Sequence, residues 1–338
     1  MSNSLAVQYR PTTWDEVVEQ NEIKQILQNQ LKTNEIKNSY LFVGGAGTGK
    51  TTCARILARC INDNKGSAIE IDGASNNGVD QVREISNQAR TRSTDSEYKI
   101  FIIDECHMIT TAGWNAMLKL IEEPPAKTIF IFCTTNAEKI PKTIMSRIQR
   151  YDFKRISTRG IFNRLVDVCI KESIFIEENA LMYIAKIADG HLRDALTMLD
   201  KVIAYNEEVT ESNVASALGM NSYKDLEALF NSVLNNEETE LLKIIDSCHD
   251  EGRDLKQLID DEIGYVLDYV RWTVTHDIES CSCPEFIVEN FKNFNARKDN
   301  VLHFLDTLIN IKNTIKYDSS PKIIIEAMLL LECNTKGE

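Results

Sequence analysis

Two short stretches carry residues whose types and spacing suit phosphate chemistry. Gly44 to Thr52 read GGAGTGKTT, the phosphate-loop spacing of glycine, four residues, glycine, lysine and threonine. The stretch follows the apolar run YLFV and opens TTCARILARC, the strand, loop and helix setting the motif requires. Gly44, Gly45, Ala46, Gly47, Thr48 and Gly49 would wrap phosphate oxygens with backbone N–H groups, and the helix N-terminus adds positive potential. Lys50 would reach the β and γ phosphates, Thr51 would ligate Mg²⁺, and Thr52 closes the loop. KIFIIDECH, Lys99 to His107, is an apolar run that ends in two acids. Beside a phosphate loop, Asp104 would hold the Mg²⁺ through water and Glu105 would polarise an attacking water, although adjacent acids also suit a solvated turn. Cys106 and His107 are too few for a metal site and read as packing and polar support.

Two further positions bear on the same chemistry. TIFIFCTTN, Thr128 to Asn136, ends in hydroxyls and an amide, of which Thr135 first and Asn136 second could sense a γ-phosphate or orient water; a strand-end turn is the plainer alternative. GHLRDAL sets Arg193 on the N-terminal turn of a helix, where a cation is unfavourable, which hints at an anion opposite it, with a surface arginine as the plainer alternative. IMSRIQRYDFKR, residues 144 to 155, gathers Arg147, Arg150, Lys154 and Arg155. A nucleic-acid grip, a solvated helix end and part of a distant catalytic site are all open for it.

The elements that must position these residues alternate from Tyr40 to Phe153. YLFV, AIEI, KIFII and TIFIFCTT read as strands between the helices TTCARILARCI, VDQVREISNQA and AGWNAMLKLIEE, which predicts an α/β fold with a parallel sheet and helices on both faces. Pro124 and Pro125 end the helix that closes in IEE. A helical lead-in, VVEQNEIKQILQNQLKT, comes before, itself preceded by Tyr9, Arg10 and Pro11. Beyond Lys154 no strand stands out. Four short amphipathic helices reach Gly219 and a longer helical block follows, with Gly252 and Asp254 marking a helix stop and a new N-cap. The expected division is residues 1–156, 157–219 and 220–338.

Composition narrows the function classes. With 38 basic and 51 acidic residues, net -13, the chain cannot coat DNA broadly, because non-specific binding rests on phosphate neutralisation. Met220 to Glu262 hold 4 basic and 12 acidic residues, a better partner-binding surface than a DNA-binding one. Nine cysteines, an odd number, suit reduced thiols in a cytosol. No apolar run approaches the roughly 18 residues of a membrane span, so a cytoplasmic protein without a membrane partner is expected.

YRPTTWDEVVEQ, GGAGTGKTT, IEIDGASNNGVDQVREI, KIFIIDECHM, LKLIEEPP, CTTNAEKIPKTIMSRIQR and GHLRDALTMLD, in this order and spacing, resemble the bacterial DNA polymerase III gamma/tau subunit, the ATPase of the clamp loader. The likeness is dense from about Leu5 to Leu218 and weaker beyond, where it rests on helical content and EGRDLKQLI. It implies an AAA+ module, a helical lid and a helical collar that joins five subunits, several of them copies of this chain. The implied cofactors are ATP and Mg²⁺, and the implied partners are other clamp-loader subunits, a sliding clamp and primer-template DNA. Lys50, Thr51, Asp104, Glu105 and Arg193 match the family's phosphate-loop, metal, base and second-sensor positions, and Tyr9, Arg10 and Pro11 the border of its adenine pocket. Ser146 and Arg147 match a motif whose arginine reaches the ATP of the neighbouring subunit, with Ile148 where cysteine is usual.

The departures carry expectations of their own. A four-cysteine zinc module usual in the family is replaced by ARCINDNKGSAIEI, so no zinc is expected; CSC at Cys281 to Cys283 reads as reduced surface thiols. The long tail of the tau form is missing, so a short gamma-like form, or a minimal version such as a phage encodes, is expected. Arg90 and Arg92 are candidate DNA contacts, with a solvated loop nearly as good a reading. Two other functions share most of these features: a non-hydrolysing structural subunit of the same assembly, and another AAA+ DNA motor such as a branch-migration helicase. No carboxylate set for polymerase chemistry is visible outside the ATP motifs.

Overall fold

The computed structural model describes residues 4–334 apart from 207, 220, 284, 293, 295 and 319. The chain divides into two compact units, one of Met1–Val168 with Ala188–Thr197, the other of Cys169–Ile187 with Met198–Glu338.

Five parallel strands form the first unit: β1 (Ser39–Val43), β2 (Ile69–Asp72), β3 (Lys99–Asp104), β4 (Thr128–Thr134) and β5 (Gln149–Asp152), in the order β2-β3-β4-β1-β5. Alternate side chains serve opposite faces, the period of two that pleating imposes. On one face Tyr40, Phe42, Ile100, Ile102, Ile129 and Ile131 share a core with Cys53, Ala54, Ile56 and Leu57. On the other, Leu41, Phe101, Ile103, Phe130 and Phe132 meet Val82, Ile85, Trp114 and Met117. The helices that supply those partners belong to the series α1 (Leu5–Gln8), α2 (Asn21–Thr33), α3 (Lys50–Ile61), α4 (Val79–Ala89), α5 (Thr111–Glu122), α6 (Lys142–Met145) and α7 (Thr158–Glu172). Every residue of β4 is buried, as a central parallel strand demands. Register pairs Val43 with Thr134 and Asp72 with Asp104, which brings the carboxyl ends of these strands to one edge.

α8 (Glu178–Ile187), α9 (Leu192–Tyr205), α10 (Glu211–Leu218), α11 (Tyr223–Leu234), α12 (Glu238–Asp250), α13 (Leu255–Thr275), α14 (Glu285–Phe291), α15 (Lys298–Ile315) and α16 (Pro321–Asn334) make up most of the second unit; α9 up to Thr197 belongs to the first, and α7 from Cys169 onward to the second. Its core joins α11, α12, α13, α15 and α16 through residues such as Phe230, Ile245, Tyr265, Phe304 and Leu329. Gly252 takes a left-handed φ of +73° and the Asp254 side chain accepts from Lys256 N–H, so the expected stop and cap are both present.

Three sequence expectations need correction. β5 was not anticipated: it is four residues long, QRYD, with only Tyr151 buried, so it lacks an apolar run. Nor is the region after Lys154 free of strands, since β6 (Phe175–Ile176) and β7 (Glu208–Val209) pair in parallel. Finally, Cys281 and Cys283 are not surface thiols. They are 8% and 2% exposed, and the buried Asp268 carboxylate accepts the N–H groups of Ser282 and Cys283 and so folds this turn inward.

Candidate functional site

The loop between β1 and α3 owes its shape to glycine. Gly47 and Gly49 have φ of +66° and +99°, where a Cβ is strained, and at Gly44 a Cβ would come within 2.7 Å of the Phe153 carbonyl oxygen. Lys50, the first residue of α3, is 6% exposed, and its Nζ donates to the carbonyls of Gly44 and Gly45 at 2.8 and 2.6 Å. Burial pulls this ammonium below its usual range, while Cys133, Glu105 and Asp104 act against that shift. Thr51 Oγ1 donates to Asp104 Oδ2 at 2.7 Å and so ties α3 to the end of β3. These two oxygens form a hard-ligand pair of the kind Mg²⁺ takes together with water and phosphate, so the residues present fit the ion.

Glu105 follows Asp104 in a left-handed conformation, φ 45° and ψ 40°. Gly73, at the end of β2, leaves no room beside it: a Cβ there would lie 2.8 Å from the carbonyl oxygens of both Asp104 and Glu105. Thr135 Oγ1 donates to Glu105 Oε2 at 3.2 Å, and His107 Nδ1 stands 3.2 Å from the same oxygen and 3.1 Å from Thr134 Oγ1. Of the two polar candidates after β4, Thr135 therefore reaches the acid. Asn136 instead caps the following turn by accepting Glu138 N–H.

A cavity of about 130 Å³ runs along the loop. Gly47 to Thr52 form one wall, Tyr9, Arg10 and Pro11 another, and Leu192, Arg193 and Leu196 of α9 a third. Arg164 donates to the Tyr9 carbonyl at 2.9 Å and fixes that segment. Arg193 is exposed and makes no hydrogen bond or ion pair through its guanidinium among the described residues, whereas Gly44, Gly45 and Ala46 are outside the lining. Gln20, only 7% exposed, binds the Thr48 and Lys154 carbonyls and the Lys154 N–H, and it braces the loop against the strand-end segment. A polar residue inside the lead-in helical run gave no sign of that role in the sequence, and neither did the apolar wall supplied by Val17, Val18 and Ile156.

Arg147 is not in this cavity. Its Nε lies 2.7 Å from Glu122 Oε1 and its Nη1 donates to the Thr143 carbonyl and to Ser146 Oγ, with the side chain 41% exposed. The other bases of that stretch are paired as well: Arg150 with Asp152, Lys154 with Glu22, and Arg155 with Asp189. Among the described residues no group of three or more histidine, cysteine or acidic side chains gathers in a metal-holding arrangement, and all nine cysteines are free thiols. Among the described residues no helix is long and apolar enough to cross a membrane.

Comparison with known proteins follows the same lines. A family model described as DNA polymerase III, delta subunit matches residues 19–78 and 67–157, and one for the DNA polymerase III clamp loader subunit, ATPase lid domain matches 160–208. DNA polymerase III subunit tau of Bacillus subtilis is 33% identical over 354 residues, 98% of this chain and 63% of that protein. The gamma/tau subunit of Mycoplasma pneumoniae is 35% identical over 295 residues, 79% of this chain and 43% of that one. This chain thus spans less than two thirds of either. The gamma subunit of Buchnera aphidicola is matched nearly end to end, at 31% identity over 96% of this chain and 97% of its own. Among solved structures, the RuvB Holliday junction branch migration motor of Thermotoga maritima superposes with a TM-score of 0.54 at 19% identity, covering 65% of this chain and 79% of that one, a likeness of AAA+ fold.

Proposed function

Since this chain belongs to the DNA polymerase III gamma/tau family of clamp-loader subunits, we propose that it is an ATP-hydrolysing subunit of a replication clamp loader acting in the cytosol. The observation that carries the proposal is the Thr51 to Asp104 bond beside Lys50 and Glu105, a metal-and-phosphate set on one sheet edge with a base next to it. A structural subunit has no use for that set.

In this reading the ATP phosphates take the place of the Gly44 and Gly45 carbonyls as partners of Lys50. Tyr9, Arg10 and Pro11 border the base. Thr51 and Asp104 would hold Mg²⁺, which would supply charge neutralisation at the phosphate oxygens. Glu105 accepts the proton of the attacking water, and the Thr135 hydroxyl fixes which oxygen of Glu105 is turned to it. Arg193 stabilises γ-phosphate charge from the same chain. Arg147, outside its own chain's cavity, serves the nucleotide of the next subunit. Leaving Glu122 costs it little, because exposed ion pairs are worth about 0–1 kcal/mol. Residues 1–156 act as the ATPase domain, 157–219 as the lid and 220–338 as the collar of a pentameric assembly. That assembly opens a sliding clamp and sets it on primer-template DNA, and no zinc takes part.

Mixing Lys50→Ala with Arg147→Ala chains tests the shared site through clamp- and DNA-stimulated ATPase. Each variant alone is expected to lose about 10³-fold or more, the scale of arginine-finger effects, and the mixture to regain part of the rate. A fully active Arg147→Ala chain, with no gain on mixing, would sink the proposal. Fork or junction unwinding without clamp loading would favour a different AAA+ motor.

A further inference from the structure

A second cavity of about 440 Å³ lies in the first unit and shares only Arg10 and Pro11 with the one above. Its size falls within the roughly 300–1,000 Å³ of small-molecule sites. Arg55 and Arg59, four residues apart on one face of α3, line it together with Arg10. Glu70 is the only carboxylate in the lining and is already paired with Arg55 at 2.5 Å. Arg59 donates one Nη2 bond, to the Thr12 carbonyl at 2.6 Å, and neither it nor Arg10 has an ion-pair partner among the described residues. The Arg55 Nε is buried without a hydrogen-bond acceptor. Three guanidiniums against one carboxylate make this recess positive in a chain of net charge -13.

We propose that this cavity is a second anion site, which takes a compact phosphate-bearing ligand: pyrophosphate, or the phosphate tail of a nucleotide. Guanidinium forks match phosphate oxygens bidentately, and a recess favours a small polyanion over a duplex, whose phosphates lie on a convex surface. The shared wall couples the two cavities. A ligand that draws Arg10 into the second moves a border of the first, so occupancy of either changes the affinity of the other.

Calorimetric titration of full-length Lys50→Ala protein, which lacks the loop's phosphate-binding ammonium, with pyrophosphate and separately with ADP tests the site. Binding of one equivalent is expected to survive in Lys50→Ala. It should weaken about tenfold or more when Arg59→Gln is added, as loss of a charge-assisted hydrogen bond requires. Adding Ser67→Glu, which sets a carboxylate at the exposed rim without removing a guanidinium, should weaken it likewise. Pyrophosphate binding alone assigns a free anion, ADP binding alone a nucleotide, and either supports the site. No binding to Lys50→Ala, or binding that neither added substitution alters, overturns it; so does binding of duplex DNA only. Hydrolysis plays no part in the readout, so the result is independent of the function proposed above.

Discussion

If Glu105 is the base proposed above, it combines a chemical demand with a conformational one. Its carboxylate must face Thr135 at the strand edge, and its backbone is held at a positive φ that costs a non-glycine residue roughly 1–2 kcal/mol. Glycine would remove that strain while losing about 0.5–1 kcal/mol to its own entropy. Glu105→Gly is therefore expected to melt at or slightly above the wild-type temperature while ATPase falls about 10²-fold or more. A markedly lower melting temperature would show that the left-handed turn is not strained. The candidate residues could be picked out of the sequence, since phosphate-loop spacing and paired acids after an apolar strand are local patterns. Their contacts could not: Gln20 reaches Thr48, His107 reaches Thr134 and Glu122 reaches Arg147 across 28, 27 and 25 residues of chain, and no local pattern encodes such contacts.

Among the elements, α13 carries the least expected feature. Glu262 is fully buried on this helix, neither carboxylate oxygen has a hydrogen-bond partner among the described residues, and burial, aided by Asp261, pushes its pKa well above the usual glutamate range. The folded chain therefore keeps a proton that the unfolded chain releases, and stability falls as pH rises from the ordinary glutamate range toward the raised folded value. Glu262→Gln removes that slope. Its melting temperature should exceed wild type by a margin that grows between pH 5 and pH 8, and a constant margin would show that Glu262 does not titrate on unfolding. Strands β1 to β4 and most helices could be read from apolar runs and periodicity. β5 could not, because an edge strand buries little, and β6 and β7 are two residues each, too short for any period to register.

At the scale of the whole molecule, acidity limits how DNA can be held. Arg90 and Arg92 are exposed, without side-chain partners among the described residues, and stand at the end of α4. If they hold the primer-template, replacing both with alanine should flatten the salt dependence of DNA binding by about one unit of slope per arginine. An unchanged slope would place the phosphate contacts elsewhere. The position of Arg147 outside its own chain's cavity has a different kind of consequence, one of dosage. If Arg147 serves the neighbouring subunit as proposed, the site is built from two chains and works only when both are sound, so a copy lacking both Lys50 and Arg147 would disable its own site and its neighbour's. In a mixed population activity would then follow the square of the sound fraction, and a defective copy of this chain would act as a dominant poison of the wild type.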